Sequence, residues 1–127
     1  NLLEKGIAVH HSGIVPVFRE MVEILFAKGY VKLLFATETF AVGVNMPTKT
    51  VLFTGIKKFS GKGFRNLFSH EYTQMAGRAG RRGLDTYGEV LICPVFDIPN
   101  NMEAKNMCVG KSRVMTSKLS IDWDFIF

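Results

Sequence analysis

Short apolar segments alternate with helix-like segments along the chain, and this alternation constrains the fold more than any other feature. The apolar segments are residues 7–9, 31–36, 51–54 and 89–93. Between the first two, apolar residues recur at helical spacing after Pro16, which can begin a helix, and before Gly29, which can end one. Strands separated by helices in this way indicate an α/β fold with a mostly parallel sheet.

The remaining segments complete the predicted organisation. Residues 56–67 are rich in Gly, Lys and Phe and are interpreted as a loop. Ser69 is predicted to be the N-cap of a second long helix, and residues 104–109 to form a further helix. We therefore expect residues 1–93 to be the core of one domain, and residues 94–127 to be an exit segment towards a following helical region.

The composition fits a single globular domain. The chain has 127 residues, of which 47% are hydrophobic, enough for one packed core. The net charge of +5 permits a polyanionic partner without requiring one. No segment approaches the ~20 apolar residues that a membrane helix needs, so no membrane association is expected.

The two cysteines predict a reducing, intracellular setting. Cys93 and Cys108 are not spaced as a CxxC pair and have no His nearby, so no zinc site is expected. Cys93 is predicted to be a core thiol of the last strand.

The segment from Gln74 to Gly83 reads QMAGRAGRRG and is the most informative part of the chain. It is predicted to continue the second helix, which Gly83 ends. Glycine costs ~1 kcal/mol relative to alanine inside a helix, so the interior glycines indicate a close approach by another backbone or by a ligand. Arg78 and Arg81 are three residues apart, so on a helix both guanidinium groups face one side and match the oxygens of a triphosphate.

The alternative for this segment is a solvated basic helix end, but that does not account for Gln74 or for the interior glycines. The nucleotide interpretation requires both guanidinium groups to be accessible at the carboxyl edge of the sheet. Burial of Arg78 and Arg81 in local ion pairs would contradict it.

A second polar cluster follows the strand predicted over residues 31–36. Ligands in open α/β sheets bind beyond the carboxyl ends of strands, and a hydroxyl such as that of Thr37 can hold a phosphate oxygen there. Gly43 lets the backbone pass close to a ligand, and Asn45 offers an amide to a ribose hydroxyl. A plain strand-to-helix turn with Thr39 as cap is the alternative.

Two polar segments remain. His10 and His11 open the turn HHSG after the first strand, and with no carboxylate close in sequence neither zinc binding nor acid–base catalysis is expected. One packed and one exposed ring is the simplest interpretation. Residues 57–65, KKFSGKGFR, either follow a phosphate backbone and stack a base, or lie in solvent with Phe59 and Phe64 folded into the core.

Three of these segments resemble conserved motifs of superfamily 2 helicases, in the same order and spacing. QMAGRAGRRG is similar to the last motif, QxxGRxGR; ATETFAVGVNMP resembles the fifth motif; and GIAVHHSGIVP resembles the HHSG motif. The wider spelling EYTQMAGRAGRRGLD is similar to the superkiller and Mtr-type branch of DExH-box RNA helicases. The resemblance covers residues 6–90. It implies a RecA-like three-layer α/β domain, the second of the motor, incomplete at its N-terminal edge.

The resemblance also implies a nucleotide site. Arg78 and Arg81 are expected to be arginine fingers that reach ATP, Gln74 to lie near the phosphates, and Gly43 and Asn45 near the nucleotide. The chain has neither a GxxxxGK[ST] phosphate loop nor a DExH segment. ATP and Mg²⁺ are therefore expected to be held mainly by a first RecA-like domain in cis, and the chain alone is predicted to have no measurable ATPase.

The same resemblance implies that RNA is the partner, with its backbone held by Thr37, His11, Ser12 and Gly13. It implies 3′→5′ unwinding that feeds RNA to the exosome, superkiller-complex or exosome proteins as partners, and cytoplasmic rather than nuclear location. A related DNA repair helicase stays an alternative, because backbone contacts do not distinguish RNA from DNA. A non-catalytic RecA-like binding module is the third possibility, against which the intact QxxGRxGR motif argues.

Overall fold

The computed structural model describes residues 1–43, 45–93, 95 and 98–110, which form an α/β arrangement. A 3₁₀ turn at Leu3–Lys5 precedes the first strand. The strands are β1 (Ile7–His10), β2 (Leu33–Ala36), β3 (Thr50–Phe53), β4 (Lys57–Phe59), β5 (Phe64–Asn66) and β6 (Glu89–Ile92). The helices are α1 (Pro16–Ala27), α2 (Glu38–Gly43), α3 (Ser69–Ala76) and α4 (Asn101–Val109).

Parallel pairing dominates the strands, as the alternation of segments predicts. β1 pairs in parallel with β2, with His10 opposite Ala36 at their carboxyl ends. β3 pairs in parallel with β6, with Phe53 opposite Ile92. Parallel neighbours require a crossover connection, and α1 lies in the first crossover while α3 lies in the second. The predicted α/β class with mostly parallel pairing is confirmed.

Each parallel pair is covered by helices on one face. Ala8, Val22 and Val31 form a buried cluster between α1 and the β1–β2 pair. A second buried cluster joins the β3–β6 pair to α3 and α4; its buried members are Phe53, Ile56, Leu67 and Met107. Apolar residues also stand exposed along the strands, among them Val9, Leu33, Phe35, Leu52 and Leu91.

The segment interpreted as a loop is instead an antiparallel hairpin of β4 and β5. The Ser60 N–H donates to the Gly63 carbonyl at 2.9 Å, and Gly61 takes a left-handed φ of 83° in the turn. Phe59 and Phe64 contact each other edge to face at 5.7 Å and are 63% and 77% exposed. The alternative that folded these two rings into the core is therefore wrong.

Helix α3 differs from its prediction at both ends. The helix begins at Ser69, and Phe68 in extended conformation is the N-cap, so Ser69 is not the cap. The helix ends at Ala76, with Gly77 as its C-cap. Gly80 has a φ of 93°, which no right-handed helix contains, so the predicted continuation to Gly83 is wrong.

The last described part of the chain gives two outcomes. The predicted helix over residues 104–109 is confirmed, and α4 begins three residues earlier than expected. Cys93 is exposed, so its assignment as a core thiol is wrong; β6 ends one residue before it. Residues 111–127 lie outside the described residues, and the domain boundary at residue 93 stays a prediction.

Candidate functional site

The carboxyl ends of β1 and β2 bring two of the predicted RNA-contacting segments together. The Thr37 N–H donates to the His10 carbonyl at 3.2 Å, which holds the first residue after β2 beside the first turn after β1. The Thr37 and Thr39 hydroxyl oxygens lie 2.8 Å apart and both side chains are exposed. Parallel strands place such post-strand residues on one edge of the sheet, where ligands bind.

The turn after β1 is closed by its own side chain. The Gly13 N–H donates to His11 Nδ1 at 3.1 Å, and the Ile14 N–H donates to the His11 carbonyl at 3.1 Å. A Cβ on Gly13 would lie 3.1 Å from the His11 ring, so the turn favours glycine there. Ser12 is exposed at the turn. His11 Nδ1 therefore already accepts a hydrogen bond from within the turn.

His10 has a carboxylate partner that the sequence analysis missed. Its ring is buried, and its Nε2 lies 2.7 Å from Oε1 of Glu23 on α1. The ring also contacts Phe40 of α2 edge to face at 4.8 Å. The packed-ring interpretation is confirmed, and the contacts tie α2 to β1 and α1. The partner lies 13 residues away, so no local sequence signal indicated it.

The nucleotide residues predicted from two distant segments meet near the start of β3. Arg78 Nη1 donates to Asn45 Oδ1 at 3.1 Å. The Thr48 N–H donates to the Arg78 carbonyl at 2.9 Å, and the Gly80 N–H donates to the Thr48 carbonyl at 2.7 Å. Gly43, another predicted nucleotide residue, ends α2, which follows β2.

This position differs from the one expected. The backbone from Arg78 to Gly80 runs beside Thr48, ahead of the amino end of β3, and not at a carboxyl edge of the sheet. The physical reason is the course of the chain between β2 and β3. The chain leaves the carboxyl end of β2 and returns to begin β3, which carries Asn45 towards the amino end of that strand.

A backbone, rather than a ligand, explains the glycines of this segment. A Cβ on Gly88 would lie 2.4 Å from the Ala79 carbonyl carbon, and one on Gly80 would lie 3.3 Å from Gly88. The two chain segments therefore touch through their main chains at the start of β6. The predicted close approach is real, and its partner is the protein itself.

The Arg81 side chain is held by the carboxylate of Asp85 and does not lie on helix α3. Its Nε donates to Asp85 Oδ2 at 2.8 Å and its Nη2 to Oδ1 at 2.9 Å, while its backbone N–H donates to Oδ2 at 2.9 Å. The Arg81 side chain and the backbone N–H together lower the Asp85 pKa to about 2. The expected common helix face for Arg78 and Arg81 is wrong, because α3 ends before both residues.

The ion pair leaves Arg81 accessible. Its side chain is 44% exposed, whereas that of Asp85 is 7% exposed. Within the described part of the chain, Nη1 of Arg81 has no partner, so one edge of the guanidinium group is available to a ligand. Sequence analysis missed Asp85, although its position four residues after Arg81 is a spacing at which ion pairs commonly form.

Gln74 lines a cavity that neither Arg78 nor Arg81 lines. The cavity has a volume of about 450 Å³ and lies between the start of α2 and helix α3. The residues that line this cavity are Glu38, Thr39, Lys58, His70, Glu71, Gln74 and Met75. Gln74 thus shares a groove with Thr39, next to the expected RNA contacts.

An ionic cluster closes one end of this groove. Lys58 Nζ lies 2.7 Å from both carboxylate oxygens of Glu38 and 3.0 Å from Oε1 of Glu71. Arg65 donates from two nitrogens to Glu71, each at 2.8 Å, and its guanidinium group lies 3.9 Å from the Phe68 ring centroid. Glu38 is thus paired with a cation, and a carboxylate is a poor ligand for a phosphate.

Glu71 is held strongly as the charged carboxylate. Hydrogen bonds from Arg65, then from the Phe68 N–H and from Lys58, lower its pKa far below the ordinary range, although partial burial acts in the opposite direction. The Phe68 N–H donates to Glu71 Oε2 at 2.8 Å at the start of α3, so Glu71 also stabilises the helix end.

We expect Glu71→Gln to destabilise the chain by about 2 kcal/mol near neutral pH, because charge-assisted hydrogen bonds are lost. The folded-state pKa lies below the unfolded value of about 4.3, so the stabilisation is fully present above that pH and is lost as the pH falls below it. Urea unfolding at pH 7 and at roughly pH 3 measures this. Glu20→Gln, on the exposed side of α1, is the control and should change little at either pH.

The described residues include no group of three or more His, Cys, Asp or Glu arranged to hold a metal ion. None of the helices in this part of the chain is long and apolar enough to cross a membrane. What the arrangement offers is hydrogen-bond donors for oxyanions in two places, at the Thr37 edge and around Arg78 and Arg81.

Comparison with known proteins identifies the family. Residues 1–83 match the family described as helicase conserved C-terminal domain. The chain is 61% identical over 127 residues to the antiviral helicase SKI2 of Saccharomyces cerevisiae, covering 99% of this chain and 10% of that protein. It is 49% identical over 125 residues to human superkiller complex protein 2, covering 98% of this chain and 10% of that protein.

A third relative is the ATP-dependent RNA helicase mtr4 of Schizosaccharomyces pombe, 48% identical over 125 residues, 98% of this chain and 11% of that protein. The chain thus spans about a tenth of the length of these relatives. The resemblance to superkiller and Mtr-type helicases that the motifs indicate is confirmed, and so is the RecA-like fold class. The chain belongs to the helicase conserved C-terminal domain family.

Proposed function

We propose that the chain is the second motor domain of an ATP-dependent RNA helicase and completes an ATP site whose other wall is a preceding RecA-like domain. The expected place of the arginines at the carboxyl edge of the sheet is wrong, so the proposal does not rest on it. The observation that carries the proposal is Arg81, whose side chain stays accessible beside its ion pair. Asp85 holds one edge of its guanidinium group and the opposite edge stays accessible. A fixed, outward cation of this kind can stabilise the charge that spreads over a transferring phosphoryl group.

The residues near Arg81 fit a nucleotide chemically. Arg78 lies 3.1 Å from the Asn45 amide oxygen, which leaves the amide nitrogen of Asn45 to donate to a ribose or phosphate oxygen. Backbone hydrogen bonds between Thr48 and the segment from Arg78 to Gly80 hold the two chain segments together. In the proposed reaction they bind and orient the triphosphate, while Arg81 stabilises negative charge on its terminal phosphate.

Mg²⁺ and most of the ATP are proposed to be held by the preceding RecA-like domain. At the proposed site the Asn45 amide oxygen accepts from Arg78 and both Asp85 oxygens accept from Arg81, which leaves N–H donors that suit phosphate oxygens and do not coordinate Mg²⁺. The domain therefore supplies charge stabilisation and not the metal. We predict, accordingly, that the 127-residue chain alone has no measurable ATPase.

RNA is proposed to bind at the other group of residues. The exposed Thr37 hydroxyl and the turn of His11, Ser12 and Gly13 share one edge of the β1–β2 pair, and a strand lying along that edge meets both segments. Phosphate oxygens are the groups that hydroxyl and backbone N–H donors of this kind contact. Closure of the two motor domains on ATP would then move this edge along the RNA.

The finer statements rest on the relatives and on the motif resemblance. We propose 3′→5′ unwinding, delivery of RNA to the exosome, superkiller-complex or exosome proteins as partners, and action in the cytoplasm. The names of the relatives, an antiviral helicase SKI2, a superkiller complex protein 2 and an mtr4 RNA helicase, support an RNA helicase and a superkiller-complex partner. The direction of unwinding, the exosome and the cytoplasmic location rest on the motif resemblance alone.

Matched duplexes test the proposal in the full-length protein. We expect ATP-dependent unwinding of an RNA duplex with a 3′ single-stranded tail, and little unwinding of the same duplex with a 5′ tail. Equal or faster unwinding of a DNA duplex of the same sequence would favour the DNA repair alternative. Absence of unwinding with an intact phosphate loop and DExH box would favour a binding module.

A further inference from the structure

The Lys58 amine contacts both α2, which follows the proposed RNA contact Thr37, and α3, which precedes the proposed nucleotide residues Arg78 and Arg81. It contacts Glu38, the first residue of α2, through both carboxylate oxygens at 2.7 Å, and Glu71 of α3 at 3.0 Å. Glu38 directly follows Thr37, and Glu71 lies three residues before Gln74. One side chain on the hairpin strand β4 therefore bridges the groove between α2 and α3.

The two carboxylates are not held equally. Glu71 is 15% exposed and keeps two hydrogen bonds from Arg65 and one from the Phe68 N–H. Glu38 is 46% exposed, and within the described residues Lys58 is the cation that contacts it. Loss of Lys58 would leave Glu71 anchored and would release Glu38, which would then face a second carboxylate with no cation between them.

We propose that Lys58 is a positioning residue that couples the RNA-contacting start of α2 to helix α3 and the arginine segment beyond it. The inference rests on the proposed function and names the link between its two sites. Because Arg65 and Glu71 fix α3 to the hairpin independently, the link acts on the position of α2 and not on the fold of the domain. RNA at Thr37 and nucleotide at Arg81 can then favour the same arrangement.

The test uses Lys58→Met in the full-length protein, with ATPase measured without RNA and at saturating RNA. Coupling between two sites commonly changes an affinity by about fivefold or more, and we expect the RNA stimulation of ATPase to fall by at least about fivefold. The ATPase without RNA should stay at the wild-type level. Lys105→Met, at an exposed position of α4 outside both proposed sites, removes the same charge and should leave the stimulation unchanged.

Glu38→Gln keeps the Lys58–Glu71 contact and is the second variant, which serves if Lys58→Met fails to fold. It should lower the RNA stimulation in the same way. Because a carboxylate does not bind RNA phosphates, a lost phosphate contact does not explain an effect that both variants share. In the double variant the losses should not add, because both changes break one link.

Wild-type stimulation in both variants overturns the inference, and so does an equal fall of the ATPase with and without RNA. These outcomes are distinct from failure of the proposed function. If Arg81→Lys keeps full ATPase, the nucleotide assignment fails. If Arg81→Lys is inactive while Lys58→Met and Glu38→Gln respond normally to RNA, only the coupling role of Lys58 fails.

Discussion

Replacing Arg81 by lysine should lower the ATP turnover of the full-length protein about 10³-fold while leaving its RNA affinity within about twofold. The geometry supplies the reason. Asp85 occupies the Nε–Nη2 edge of Arg81, and the Nη1 edge is accessible. A guanidinium group can serve a carboxylate and a phosphate at once, whereas the single ammonium group of lysine cannot keep both in that geometry.

The measurement is steady-state ATPase at saturating RNA, with RNA affinity determined at one fixed salt concentration because phosphate contacts are salt-dependent. Arg82→Lys is the matched control, since it makes the same change at the next residue. It should keep most of the activity. Undiminished turnover in Arg81→Lys would remove Arg81 from the nucleotide site and with it the main support for the proposed function.

Gly88→Ala should destabilise the chain by about 3 kcal/mol or more, the upper part of the range for an overpacked site. The added Cβ would lie 2.4 Å from the Ala79 carbonyl carbon and 2.6 Å from the Gly80 nitrogen, which are backbone atoms that no side-chain rotation can move away. Neither segment can move easily. The Gly80 N–H is bonded to Thr48, and β6 is paired along its length with β3.

Gly55→Ala is the control for this effect. Its Cβ would meet no atom within 4 Å, and its φ lies outside the left-handed region, so its stability should change by well under 1 kcal/mol. Urea unfolding of the two variants and the unmodified chain gives the comparison. Unfolding of Gly88→Ala at the unmodified midpoint would mean that the Arg78–Gly80 segment and β6 are not in main-chain contact.

Local patterns predicted the elements with a strong period and clear ends. The strands β1, β2, β3 and β6 all fall on apolar runs of the sequence, and α1 starts at Pro16 as expected. The β4–β5 hairpin escaped prediction because each strand has only three residues, too few to show alternation.

The end of α3 was misplaced for a different reason. The repeat of arginine and glycine predicts a continuing helix, but Gly80 has a positive φ and the chain turns after Ala76 to run beside Thr48. The sequence pattern does not distinguish a glycine that relieves crowding inside a helix from one that turns the chain.

Two residues of the candidate nucleotide site lie together as expected, but the contacts around the site were not predictable. Arg78 and Asn45 were both expected near a nucleotide, and they lie within hydrogen-bond distance across 33 residues of sequence. The residues that contact His10 and Glu38 come from distant segments. Glu23 reaches His10 from α1, and Lys58 reaches Glu38 from the hairpin, so no local spacing could indicate either contact.

The central claim is that Arg81 completes a nucleotide site shared with a preceding domain. A structure of the full-length protein with RNA and a non-hydrolysable ATP analogue tests it most directly. The account predicts a nitrogen of Arg81 at about 3 Å from a γ-phosphate oxygen, with Nε still paired to Asp85. An Arg81 guanidinium group that faces solvent, outside hydrogen-bond distance of every phosphate oxygen, would contradict it.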